Sequence, residues 1–356
     1  MINADIKVID PFGVSLDPQM PTLALALDPI EAQTEFSRLK WLSAHRTVRL
    51  KEIRVTRYKP HRRCMIEYQI DVDGPAASCG TFTVIGKVRA KRFGKSGYKL
   101  LSEIQQAGFG IDSEDGISVP EPIGTISKFR MWLQRKVPGQ LATHLLTASS
   151  GVELVRRIAE AAHKLHHAGV CPERRHTMAD ELEILRKCLL TVACEQSVLA
   201  GRILRVLEAC VRLGQITPDS ALCGIHRDFY SDQLIVDGTR LYLIDFDLYC
   251  EGDAALDVGN FLGHITEQSL RTLGDSRALA DLEQAMEERF LDLAGARTRA
   301  VVRSYATLTL ARHIYLSTLF PDRRPFTLNL LELCEERLDL AGRPSIRIPM
   351  QTAVSR

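Results

Sequence analysis

Residues 224–257 constrain the fold more than any other stretch of the chain. Two apolar, β-branched runs, Leu234–Val236 and Leu241–Ile244, flank Asp237-Gly238. That pattern reads as a β-hairpin with an Asp-Gly turn. A hairpin brings its two open ends together. Gln233 enters the first strand and Asp245 leaves the second, so the two are expected near each other. Asp228 lies in the loop just before. One hairpin mouth would then gather a carboxylate, an amide and a second carboxylate. Oxygen ligands of that kind suit Mg²⁺. A spare carboxylate beside the metal suits removal of a proton from a hydroxyl.

His226-Arg227-Asp228, Gln233 and Asp245-Phe246-Asp247 together resemble the catalytic loop and metal-binding segment of the protein-kinase-like fold. The nearer likeness is to its small-molecule branch: aminoglycoside phosphotransferases with their choline-kinase-like and maltokinase-like relatives. There the loop reads roughly His-Gly-Asp, four residues, Asn, then a short hairpin and Ile-Asp-Phe/Trp. Here Arg227 stands at the second position and Gln233 at the last, as Gln does in maltokinase-like sequences. Gly252-Asp253, followed by Asp257, resembles that branch's Gly-Asp-Pro-x-x-Asp-Leu, with Ala for Pro. The resemblance spans roughly residues 40–270. It implies an α+β, two-lobe protein-kinase-like fold, with a small antiparallel-sheet N-lobe and a mainly helical C-lobe. It also implies ATP-dependent phosphoryl transfer to a hydroxyl of a small molecule, chemistry that is mostly positioning and charge neutralisation. Asp228 would orient and deprotonate the acceptor. Gln233 and Asp245 would hold Mg²⁺. His226 would brace the loop. Asp253 and Asp257 are either recognition groups for a cationic acceptor or capping and bracing acids, and bracing is the reading favoured for Asp257.

The first lobe is read from residues 52–90. Ile53–Tyr58, Cys64–Val72 and Thr81–Val88 are expected strands, with a turn at Asp73-Gly74-Pro75. The tip between the first two, Lys59-Pro60-His61-Arg62-Arg63, has no Gly-x-Gly-x-x-Gly. In the resembling family this tip covers the phosphates, so contacts here fall to basic side chains or backbone amides. Alternation puts Ile85 and Lys87 on one face, and Lys87 would match the strand lysine that holds nucleotide phosphates. Arg89 and Lys91 are its rivals. Glu103 is the only carboxylate of the helical stretch Lys95–Ala107, so if a Lys–Glu ion pair exists it is the partner by elimination; the alternative is an exposed Glu on an amphipathic helix. Arg130–Val137 reads as a strand resembling the segment where adenine docks, through backbone groups near Leu133, Gln134 and Arg135.

The remaining sequence sets limits. Domains are expected as an N-terminal arm and helix over 1–45, an N-lobe over 46–136, a C-lobe over 137–342 and a tail over 343–356. Residues 1–27, with Pro11, Pro18 and Pro21, read as an extended arm. Asp28-Pro29-Ile30-Glu31 is a helix start, and the helix is expected to run to about Leu42. Helices are expected at Gly151–Gly169, over 178–214, and at Leu256–Ser269, Ala278–Leu293, Thr298–Leu319 and Thr327–Leu340. The formal net charge of +2 offers no general attraction to nucleic acid or membrane. No basic-then-apolar leader or membrane-length apolar run is seen, and nine scattered Cys without a Cys-x-x-Cys pair suit a reducing cytoplasm. Gly94-Lys95-Ser96 lacks the earlier glycine of a P-loop, and Lys164 stands where His-Glu-x-x-His needs Glu. Only six residues separate Asp245 from Gly252, which leaves no room for a protein-kinase activation loop. A non-catalytic nucleotide-binding relative is the alternative reading.

Overall fold

The computed structural model describes residues 6–40, 47–73, 80–90 and 95–340. Lys91, the Asp73-Gly74-Pro75 turn beyond Asp73, the expected helix end at Leu42, and the tail over 343–356 lie outside the described residues. The chain divides into two compact units. One holds the described residues up to Gln140 together with Ile235–Asp247, and the other holds Leu141–Leu234 and the described residues from Leu248.

The first unit is built on a six-stranded sheet. Its strands are β1 (Lys7–Ile9), β2 (Thr47–Lys59), β3 (Arg63–Asp73), β4 (Gly80–Arg89), β6 (Pro122–Ile126) and β7 (Met131–Arg135), in the order β1-β2-β3-β4-β7-β6. Strand β5 (Ile117–Ser118) lies outside this sheet. β2 and β3 alternate apolar residues inward, burying Val48, Leu50, Ile53 and Val55 against Ile66, Tyr68 and Ile70. The N-terminal arm is not simply extended. β1 adds a parallel strand to β2, and α1 (Thr22–Leu27) sends Leu23, Ala26 and Leu27 into the same core. The buried apolar side chains outweigh the lack of periodicity around the three prolines. α2 (Pro29–Ser37) starts as expected: the Asp28 carboxylate accepts from the N–H groups of Ile30 and Glu31, each at 2.9 Å.

α3 (Lys95–Ile104) lies against Trp132, and a Cβ on Gly97 would come within 3.1 Å of the indole. The hairpin forms from Leu234–Asp237 and Arg240–Leu243. Its turn is Gly238-Thr239, with φ of 55° at Gly238, the conformation that favours glycine at that turn position. Arg240–Leu243 runs parallel to β5, and Arg240 donates to the Ser118 hydroxyl at 2.7 Å. The hairpin is therefore fastened inside this unit, and Asp245 leaves it at a fixed point.

The second unit is helical: α4 (Gly151–His166), α5 (Met178–Glu195), α6 (Ala200–Ile216), α7 (Ala254–Leu273), α8 (Ala280–Ala294), α9 (Arg299–Leu319) and α10 (Thr327–Arg337). A two-stranded ribbon pairs Leu222–Ile225 with Cys250–Asp253. α7 and α9 meet through Gly259 and Gly263 on one face of α7. A Cβ on Gly259 would lie 2.7 Å from the Val302 carbonyl and 2.8 Å from the Ala306 nitrogen, both backbone atoms that cannot swing away. Gly259→Val should therefore destabilise this unit by at least about 2 kcal/mol. The check is a melting curve, where a drop below about 2 °C would show that the helices part easily.

Candidate active site

The loop after Leu222–Ile225 is held from below by one carboxylate. Asp257, in the first turn of α7, is fully buried. It accepts from the N–H of His226 at 2.8 Å and of Arg227 at 2.7 Å, and meets His166 Nε2 at 2.9 Å. This is bracing, as expected, and leaves Asp257 no part in acceptor recognition. Asp253 caps α7, accepting from the Ala255 N–H at 2.9 Å. Its burial pushes the carboxyl above its ordinary value. Asn260, one turn beyond Asp257, donates to the Phe229 carbonyl at 3.0 Å. The loop is thus tied to α7 on both sides of Asp228.

Arg227 adopts φ of 68°, a left-handed conformation that costs a residue with a side chain of order 1 kcal/mol or more. The two Asp257 hydrogen bonds surround this strained residue and offset its cost. Next to it, Asp228 is half-buried, and its Oδ2 accepts from Gln233 Nε2 at 3.2 Å. Gln233 is itself buried at the end of a short 3₁₀ turn, Ser231–Gln233. Of its two amide atoms, Nε2 is turned to Asp228, so the carbonyl oxygen Oε1 is the one available to a cation.

Asp245 also takes a left-handed backbone, with φ of 62°. Within the first unit it borders a narrow cleft with Lys87, Leu100, Trp132, Gln134 and Asp247. Lys87 Nζ stands 5.0 Å over the ring of its cross-strand partner Trp132. Burial pushes the Lys87 ammonium below its ordinary value, while Asp245 and Asp247 pull the other way. Burial would raise the Asp247 carboxyl, but Lys87 and Arg89 outweigh it and hold it low.

Two expectations change here. Glu103 pairs with Lys99 one helical turn away at 3.5 Å, and its side chain is 42% exposed. Among the described residues no ion pair joins it to Lys87. The acids around Lys87 come instead from the hairpin exit. The docking stretch Leu133–Arg135 also lies in an interior strand, β7, between β4 and β6. The Arg135 N–H donates to the Glu121 carbonyl and the Lys136 N–H to the Thr83 carbonyl, both at 2.8 Å. Leu133 is fully buried in the core, so Gln134 alone of the three presents a side chain to the cleft. The convergence of Arg63 and Arg89 on Asp247 escaped the sequence reading, although Arg89 was visible as a rival to Lys87.

Asp245 offers a carboxylate in the first unit and Gln233 an amide carbonyl in the second, each an oxygen donor of the kind Mg²⁺ takes from protein. Among the described residues no group of three or more His, Cys, Asp or Glu gathers as a denser metal site.

Comparison with known proteins gives relatives in fold and a family in sequence. The chain is similar in fold to a choline/ethanolamine kinase family protein from Mesorhizobium loti (15% identity, 87% of this chain and 94% of that one, TM-score 0.55). It is likewise similar to aminoglycoside phosphotransferase APH(4)-Ia (14% identity, 88% and 99%, TM-score 0.54). The amicoumacin kinase hAmiN, whose structure holds AMP-PNP, Ca²⁺ and Ami, is a third (13% identity, 89% and 96%, TM-score 0.55). No curated protein sequence matches the chain. The sequence model of the phosphotransferase enzyme family matches residues 100–301, which include the braced loop, the hairpin and α7. The chain belongs to that phosphotransferase enzyme family, and its fold is the protein-kinase-like fold of these structures.

Proposed function

We propose that this chain transfers the γ-phosphoryl group of ATP to a hydroxyl of a small molecule, with Asp228 as the base. The observation that carries this reading is the loop itself: Asp257 braces the strained Arg227, and Gln233 orients Asp228. The Gln233 amide engages one Asp228 oxygen, and the other accepts the proton of the acceptor hydroxyl. Lys87 holds the phosphates. Gln134, which borders the cleft, flanks the adenine. Gln233 and Asp245 would hold Mg²⁺ through oxygen. Bound there, the metal would offset phosphate charge and fix the phosphate orientation. With His226 and Asp257 given to bracing, Asp228 is the loop's candidate for proton transfer.

The acceptor classes to be tested are amino alcohols, aminoglycosides and sugars such as maltose. Reduced cysteines and an ATP supply point to the cytoplasm: eight described cysteines are free, and no described helix is long and apolar enough to cross a membrane. A Mg-ATP consumption screen over the three acceptor classes tests the reading. One class should raise ADP release and yield a phosphorylated product by mass spectrometry. ATP loss no faster with any acceptor than without would overturn it.

Lys87 has its own expected result. Lys87→Ala should weaken Mg-ATP binding or turnover at least tenfold, on the order of one lost charge-assisted contact. Glu103→Ala should change either by less than about twofold, since an exposed pair of this kind contributes little. Comparable losses in both variants would restore the Lys87–Glu103 pair.

A further inference from the structure

A backbone cradle for phosphate needs free N–H groups. At the tip between β2 and β3 none remains. Pro60 has no N–H. The His61 N–H donates to Asp17 Oδ2 at 3.1 Å, and the Arg62 N–H donates to the Lys59 carbonyl at 3.1 Å. Asp17, from the N-terminal arm, locks this arrangement. Its carboxylate also accepts from the Tyr58 hydroxyl at 2.7 Å and the Gln19 N–H at 2.8 Å, and meets His61 Nδ1 at 2.9 Å. His61 is wound to φ of 57°. Phosphate contacts on this side of the cleft must therefore come from side chains.

The side chains are at hand. Arg63 opens β3, Arg89 closes β4, and the two are cross-strand partners. Both reach Asp247, Arg63 at 3.6 Å and Arg89 more closely. Lys87 is two residues before Arg89 and on the same face of β4. Three cations thus converge on two carboxylates, Asp245 and Asp247. The cluster already carries a surplus positive charge, and that surplus grows once Asp245 serves a metal. A polyanion offsets it. The Arg63 and Arg89 side chains are 33% and 38% exposed, open to a ligand arriving from solvent. Guanidinium groups match phosphate oxygens in a bidentate geometry.

We propose that Arg63 and Arg89 form a guanidinium clamp for the terminal phosphates of the nucleotide, parked on Asp247 while no nucleotide is bound. The clamp rests on the nucleotide site proposed above. Phosphate arrival exchanges the Asp247 contacts for contacts to the terminal phosphates. The clamp takes over what a glycine-rich backbone loop would otherwise do.

Titration calorimetry of the full chain with Mg-ATP, Mg-ADP and adenosine tests this. With Arg63 and Arg89 both changed to Ala, ATP affinity should fall about 10- to 100-fold. ADP affinity should fall less, and adenosine affinity should hold, which also reports that the unit is folded. Asp247→Asn cuts the same ion pairs from the other side. It should raise ATP affinity, because both guanidiniums are freed, whereas a purely structural tie would make it behave like the arginine variants. Should the alanine pair fail to fold, Arg63→Lys with Arg89→Lys keeps the charge, loses the bidentate geometry and should show an intermediate loss. Unchanged ATP affinity in the arginine variants, or a fall in Asp247→Asn, overturns the clamp. Adenosine binding in the parent with no gain for ATP ends the clamp alone. No binding of any of the three compounds by the parent ends the nucleotide site and the clamp together.

Discussion

Asp228→Asn should lower turnover by roughly two to four orders of magnitude, the usual range for a positioned base. The substitution keeps the shape of the side chain and removes its capacity to take a proton. The loop should survive it, because its bracing comes from Asp257 and Asn260 rather than from Asp228. Binding of Mg-ATP should change by no more than a few-fold. Steady-state turnover and calorimetry on the same preparation separate the two effects. Near-normal turnover would remove Asp228 from the chemistry. A matching collapse of ATP binding would show that the residue shapes the nucleotide site instead.

Asp245→Ala should abolish Mg²⁺-dependent nucleotide binding and with it activity. Asp245 brings the charge, whereas Gln233 brings a neutral carbonyl oxygen, so the two substitutions are unequal. Gln233→Ala should raise the Mg²⁺ requirement and leave a residue of activity. It also removes the 3.2 Å contact to Asp228, so maximal turnover should fall even at saturating metal. Gln233→Asn offers the same oxygen on a shorter arm and should be intermediate. Activity against Mg²⁺ concentration for the three variants is the measurement. Parent-like metal dependence in Asp245→Ala would move the metal site elsewhere in the chain.

The parts legible in the sequence share a local origin. The hairpin follows from two β-branched runs and a glycine turn, and the start of α2 from Asp28, Pro29 and Glu31. Bracing by Asp257 followed from its position at the head of an apolar helix. Other parts depend on contacts between residues distant along the chain. The N-terminal arm folds in elements of three to six residues, too short for any hydrophobic period to show, yet Val14, Met20 and Leu23 are buried. Elimination gave Glu103 to Lys87, but a helix sequence does not say which way its one acid turns, and Lys99 lies one turn away on the same face. Composition gave no sign that β7 is an interior strand whose Arg135 N–H is already spent. The meeting of Arg63, Arg89 and Asp247 requires the β3–β4 register and the hairpin exit together.

Phosphorus NMR of Mg-ATP incubated with the parent chain and the best acceptor from the screen tests the central claim most directly. The expected result is loss of the γ-phosphate signal with equal growth of ADP and of a phosphomonoester on an acceptor oxygen, dependent on Mg²⁺ and absent with Asp228→Asn. A γ-phosphate signal that persists through bound Mg-ATP, or that passes to free phosphate with every acceptor tried, would contradict it.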